Sequence, residues 1–92
     1  MTKEHFQAVL ATADAKPDKD GWAMTADERW LTLHVSRDGV PLTVTKVVGL
    51  RLAGELVFAR TSRGDQFVLA LADLFAASVE APKEQARQAG FR

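Results

Sequence analysis

The stretch Lys16-Pro17-Asp18-Lys19-Asp20-Gly21-Trp22-Ala23-Met24-Thr25-Ala26-Asp27 has the spacing of a calcium-binding loop. Asp18 and Asp20 fall where such a loop places oxygen ligands, Gly21 where it turns sharply, and Asp27 where it closes with an acid. Lys16 stands at the first ligand position and brings a positive charge instead of a carboxylate. A loop of this kind also lies between two helices, whereas the residues after Trp30 alternate as a strand. The stretch therefore reads as an acidic linker that turns at Gly21, and no metal is expected.

Other chemistry is sparse. His5 and His34 are the only histidines. His5 falls on a surface helix, and His34 shares the polar face of a strand with Thr32 and Ser36. An acid–base or metal role for His34 would need carboxylates from other strands, and the sequence identifies none. Ser36, Ser62 and Ser78 lack the flanking glycines of a nucleophile elbow. Gly49, Gly54 and Gly64 stand singly, so no phosphate loop is present. The chain has no cysteine, which removes disulfides, thiolate metal sites and thiol nucleophiles. The expectation is a chain without enzymatic activity, cofactor or metal.

Two groups of residues fit contact better than catalysis. Trp22, Met24 and Trp30 cluster around the linker, and tryptophan is enriched at interface hot spots. The plainer reading, and the favoured one, is that each tryptophan packs over one end of a small sheet. Arg51, Arg60 and Arg63 fall on or between strands that can be neighbours, so they can share one outer face and touch phosphates. The balance of 12 Lys+Arg against 12 Asp+Glu argues against a general polyanion binder. Charge is nonetheless uneven: residues 1–30 carry four basic and six acidic groups, and residues 31–65 five basic and three acidic.

With 92 residues and 47% hydrophobic content, the chain suits one small domain with a real core. The first residues carry acids and lysines at helical spacing, unlike a secretory signal, and no apolar run reaches the ~18 residues of a membrane span. The expected location is cytoplasmic. Asn, Ile and Tyr are absent as well as Cys, while Ala and Arg abound, the composition of a GC-rich bacterial or phage gene.

The elements that must position these residues follow from periodicity. Phe6, Val9, Leu10 and Ala13 give a helix over 2–15 one apolar stripe, with Thr2 as cap and Pro17 as terminator. Residues 16–29 form the linker. From Trp30 the period becomes two: Leu31, Leu33 and Val35 alternate with Thr32, His34 and Ser36. Asp38-Gly39 signals a tight turn. The second strand has Lys46 on its apolar parity, so it either bulges near Lys46-Val47 or ends there and restarts. A third strand spans Leu56–Thr61, and a fourth contains Phe67, Leu69 and Leu71. Asp73 can cap one helical turn through Leu74-Phe75, followed by a fifth strand over Ala76–Glu80. Connections this short require antiparallel pairing.

The order helix, four strands, helical turn and fifth strand over residues 30–80 resembles Sm-like and other SH3-like small barrels. The run Arg63-Gly64-Asp65-Gln66-Phe67-Val68-Leu69 is similar to the start of the fourth strand in Sm-like proteins. The other Sm motif, before the third strand, is replaced by Leu52-Ala53-Gly54-Glu55. The expected fold is mostly β within the α+β class: an N-terminal helix and a five-stranded antiparallel sheet curled into a small barrel. One domain covers residues 1–82, and 83–92 form a polar tail. Such a domain fits a non-enzymatic interaction module that binds a protein partner or its own copies through Trp22, Met24 and Trp30 or a strand edge. The alternative is an RNA or single-stranded DNA binder using Arg51, Arg60 and Arg63.

Overall fold

The computed structural model describes residues 1–26 and 29–80. The chain opens with helix α1 (Lys3–Thr12), whose first turn is capped by the Thr2 hydroxyl accepting from the His5 N–H at 3.0 Å. Ten residues are too few for a helix to be stable alone in water. The apolar stripe supplies the rest: Phe6, Val9 and Ala13 are buried in the same cluster as the strands' inner residues. The helix stops earlier than Pro17 requires. Asp14 turns left-handed at φ 53°, and the Ala15 N–H bonds back to the Leu10 carbonyl at 3.0 Å, closing the last turn.

The segment expected to be a linker contains structure of its own. Strands β1 (Lys16–Pro17) and β2 (Ala23–Met24) form a small antiparallel hairpin, and β2 adds to the main sheet opposite Gly49 and Leu50. Two-residue strands have no readable period, and the β4 residues that β2 pairs with lie more than twenty residues away in sequence.

The main sheet consists of β3 (Trp30–Arg37), β4 (Val40–Ala53), β5 (Leu56–Thr61), β6 (Gln66–Ala70) and β7 (Leu74–Glu80). All pairings are antiparallel, in the lateral order β6-β5-β4-β3-β7. Asp38 and Gly39 both have positive φ, 52° and 80°, and join β3 to β4 through the tight hairpin their types favour. Near Lys46 the strand bulges rather than ending. Leu31 faces Val47 but Leu33 faces Val44, so β4 carries one extra residue there. A second irregularity follows between Val47 and Gly49 against β5. The two bulges bend β4, which pairs with β3 through its first half and with β5 through its second.

The sheet curls into a half-barrel rather than a closed barrel. Among the described residues, β6 pairs only with β5 and β7 only with β3. Leu31, Leu33, Val44, Val47, Leu50 and Val57 fill the concave side beneath α1. The helical turn lies earlier than expected, at Leu71–Asp73, so Asp73 ends it instead of capping it. β7 accordingly begins at Leu74, and Phe75 is the extra residue of a bulge between His34–Ala76 and Val35–Leu74. That bulge sends Phe75 outward, 56% exposed. No helix among the described residues is long and apolar enough to cross a membrane. The tail expected at 83–92 lies outside the described residues.

Candidate functional site

The calcium-like stretch folds as the β1–β2 hairpin. Asp18 Oδ1 accepts from the N–H groups of Asp20 at 2.8 Å and Trp22 at 2.9 Å, and the Asp18 N–H donates to the Trp22 carbonyl at 2.8 Å. One carboxylate oxygen is thus committed to the loop's own backbone, and Gly21 makes the turn at φ 85°. Asp27 lies outside the described residues. Among those described, no three His, Asp or Glu side chains converge as metal ligands.

Trp22 has a specific reason to be where it is. β2 places Trp22 and Met24 over Gly49, which has no side chain to keep them away. The Arg60 guanidinium then covers the Trp22 ring at 4.1 Å from its centroid, leaving the residue 7% exposed. A stacked, partly desolvated pair of this kind contributes roughly 0.5–2 kcal/mol. A Cβ added at Gly49 would meet Met24 Sδ at 2.7 Å. Gly49→Ala should therefore cost less than about 1 kcal/mol in urea unfolding, because the displaced atoms are the flexible end of Met24. Adding Met24→Ala should return part of that loss, and an additive double variant would contradict the contact.

The three arginines do not form one continuous group. Arg51 lies opposite Phe58 and Arg60 opposite Gly49, which puts both on the convex face of β4 and β5 as diagonal neighbours. Each covers an aromatic ring, Arg51 that of Phe58 at 5.1 Å and Arg60 that of Trp22. Arg63 sits beyond the end of β5, in the turn to β6, 3.5 Å from Asp65. It faces a different neighbourhood, where β4 bends.

Lys46 marks that bend. Among the described residues, three other than glycine have positive φ: Asp14, Asp38 and Lys46. Aspartate visits this region readily, whereas lysine does so at a cost of roughly 1–2 kcal/mol. The Lys46 carbonyl accepts from the Ser62 N–H at 2.9 Å, and its ammonium lies 5.7 Å from the centroid of Trp30. Trp30, the third expected contact residue, is half-buried beneath it. Lys46→Gly should leave stability unchanged or raise it by up to about 1 kcal/mol in thermal unfolding, since glycine adopts φ 57° without strain. A clear loss would mean that the ammonium–Trp30 contact outweighs the strain.

On the convex face of β3 and β7, His34 Nε2 lies 3.2 Å from Ser78 Oγ, and the Thr32 hydroxyl donates to the Glu80 carboxylate. Phe75 stands beside His34, ring centroids 6.2 Å apart. Ser78 and His34 are at hydrogen-bond distance, yet His34 Nδ1 has no hydrogen-bonding partner among the described residues, the third member a nucleophile pair requires.

The remaining candidates are strand edges. The Thr61 N–H donates to the Asp65 carbonyl, and the Leu71 N–H to the Glu55 carbonyl. This alternation turns the N–H and C=O groups of Phe67 and Leu69 toward β5, and those of Gln66, Val68 and Ala70 toward the open edge. Val68 is 58% exposed on the convex face, beside half-buried Phe58 and exposed Leu56. From Gln66 to Ala72 the sequence QFVLALA contains no charge, proline or glycine, and neither does Leu74–Val79. β1 differs: its edge is two residues long and consists of a lysine and a proline, the devices that normally discourage edge pairing. The succession of the five long strands can be read from the sequence, and the uncharged run is the signal that could have pointed to this site, but which strands lie at the edges requires the pairing. Comparisons with protein families, curated proteins and solved structures find no match for this chain.

Proposed function

We propose that this domain is a non-enzymatic interaction module of SH3-like or Sm-like type, working in the cytoplasm, that accepts a further strand along its open β6 or β7 edge. The partner strand comes from another protein or from a second copy of the chain. The observation that supports this is the contrast between edges: β1 is blunted by Lys16 and Pro17, whereas β6 and β7 carry no charge at all before Glu80. An edge so unprotected either pairs or aggregates. Apolar residues beside both edges, Val68 and Phe75, add buried area to the backbone hydrogen bonds that strand addition supplies. Pairing β6 of one copy with β7 of the next would join unlike surfaces and so build a ring or a filament. Light scattering should give a mass above the 10.1 kDa of one chain that rises with concentration, or affinity capture should retain a partner. A strict monomer that captures nothing would sink the proposal.

The shared convex face of Arg51 and Arg60 supports a second reading, binding of single-stranded nucleic acid. Here a salt-dependent mobility shift that weakens in Arg51→Ala is expected, and no shift at low salt would exclude it.

A further inference from the structure

We propose that the cleft between the bend of β4 and the β5–β6 turn binds the phosphate group of a small phosphate ester, through Lys46 and Arg63. The cleft has a volume of about 200 Å³. It exists because β5 stops at Thr61, opposite Val47, while β4 extends past it toward Val40. That leaves one edge of the first half of β4 uncovered by β5. Thr43, Thr45 and Lys46 form one wall, Thr61 and Arg63 the other, with Val44 and Phe67 also lining the space.

The chemistry of the lining favours an anion. Arg63 brings a positive charge to the cleft, Lys46 lines it with its ammonium resting 5.7 Å from the Trp30 ring and able to swing in on its flexible stem, and three threonine hydroxyls can donate. Thr61 Oγ1 accepts from the Asp65 N–H at 3.2 Å, so its own proton is left to donate elsewhere. The donors stand on two walls. A tetrahedral oxyanion presents oxygens to both walls at once, whereas a carboxylate presents its two in one plane. Apolar Val44 and Phe67 suit the uncharged part of an ester. The size is below that of most pockets for drug-sized ligands, which are roughly 300–1,000 Å³, and so fits one phosphate-bearing unit. Asp65 is the one opposing charge in the lining; its carboxylate lies 3.5 Å from the Arg63 guanidinium.

Lys46 strengthens the inference. It occupies a left-handed position that glycine or aspartate would fill with less strain, and among the described residues no carboxylate lies within ion-pair distance of it. Strain retained at a lining cation is the kind of local cost found at binding sites.

The test is an amide NMR titration of the full chain with inorganic phosphate, a nucleoside monophosphate and oligothymidylate, each to millimolar concentration at low salt. Shifts at Lys46, Ser62, Arg63 and Gly64 are expected. Lys46→Gly, whose spectrum should stay dispersed, should bind about tenfold more weakly, the loss of one charge-assisted contact. Asp65→Asn should bind more tightly, because it removes the competing carboxylate. Binding of phosphate or the monophosphate assigns the site to a small ester; binding of oligothymidylate alone, with the same variant effects, assigns the phosphate to a polynucleotide. No shift with any of the three, or shifts centred on Arg51 and Arg60 that survive Lys46→Gly, would overturn the proposal. The outcome is independent of strand addition at β6 and β7, which Lys46→Gly leaves intact.

Discussion

Phe6→Ala should remove a large part of the stability of this domain, about 3–5 kcal/mol, and lower its melting temperature by about 15–30 °C. Phe6 is 2% exposed and belongs to the same buried cluster as Leu31, Leu33 and Val57. Its loss leaves a cavity that the strands cannot easily close, because the sheet's curvature is set by the bulges in β4. A domain of this size has only about 4–12 kcal/mol to lose. The helix is bound to the sheet by this contact. At ten residues it depends on docking, with Phe6 and Val9 as its buried contacts. Circular dichroism during urea unfolding checks this: helical and sheet signals should fall together, at a much lower midpoint than in the wild type. A shift below about 1 kcal/mol would mean that the half-barrel stands without its helix.

Val68→Lys should abolish self-association or partner capture while leaving the fold intact. Val68 faces outward, so the substitution disturbs no buried contact. It adds to β6 the charge that natural edge strands use to prevent pairing. Burying an unpaired ammonium against a neighbouring strand costs more than about 1.4 kcal/mol, so association should weaken at least tenfold. Unfolding midpoints measured on dilute protein should match the wild type within about 0.5 kcal/mol. If Val68→Lys associates as strongly as the wild type, the β6 edge is not the interface.

Much of this arrangement can be read from the residues because one period governs each long element. Leu31, Leu33 and Val35 alternate over a strand whose inner face is buried, so parity alone fixes which side chains face the core. Lys46 breaks that parity at the point where β4 bulges, and Asp38-Gly39 has the types its turn demands. What parity does not report is pairing between distant segments. The β1–β2 hairpin, with Trp22 over Gly49 and beneath Arg60, depends on a contact that no local pattern encodes. Asp73 has the type of a helix cap yet ends its turn, and the resulting offset creates the Phe75 bulge. The same reasoning separates the candidate sites. Arg51 and Arg60 share a face by strand parity, but the Lys46–Arg63 cleft arises from where β5 leaves β4. The edges at β6 and β7, unpaired among the described residues, likewise follow from lateral order, to which the uncharged sequences of both strands contribute only a hint.

The claim that β6 accepts a strand is tested most directly by amide hydrogen exchange at Val68 and Ala70. Both N–H groups point away from β5 toward the open edge. If a second strand pairs there, these amides should exchange slowly in concentrated protein or in the presence of a captured partner. They should become fast on dilution and in Val68→Lys, while Phe67 and Leu69, which face β5, stay protected throughout. Fast exchange at Ala70 at every concentration, with and without partner, would contradict strand addition at β6.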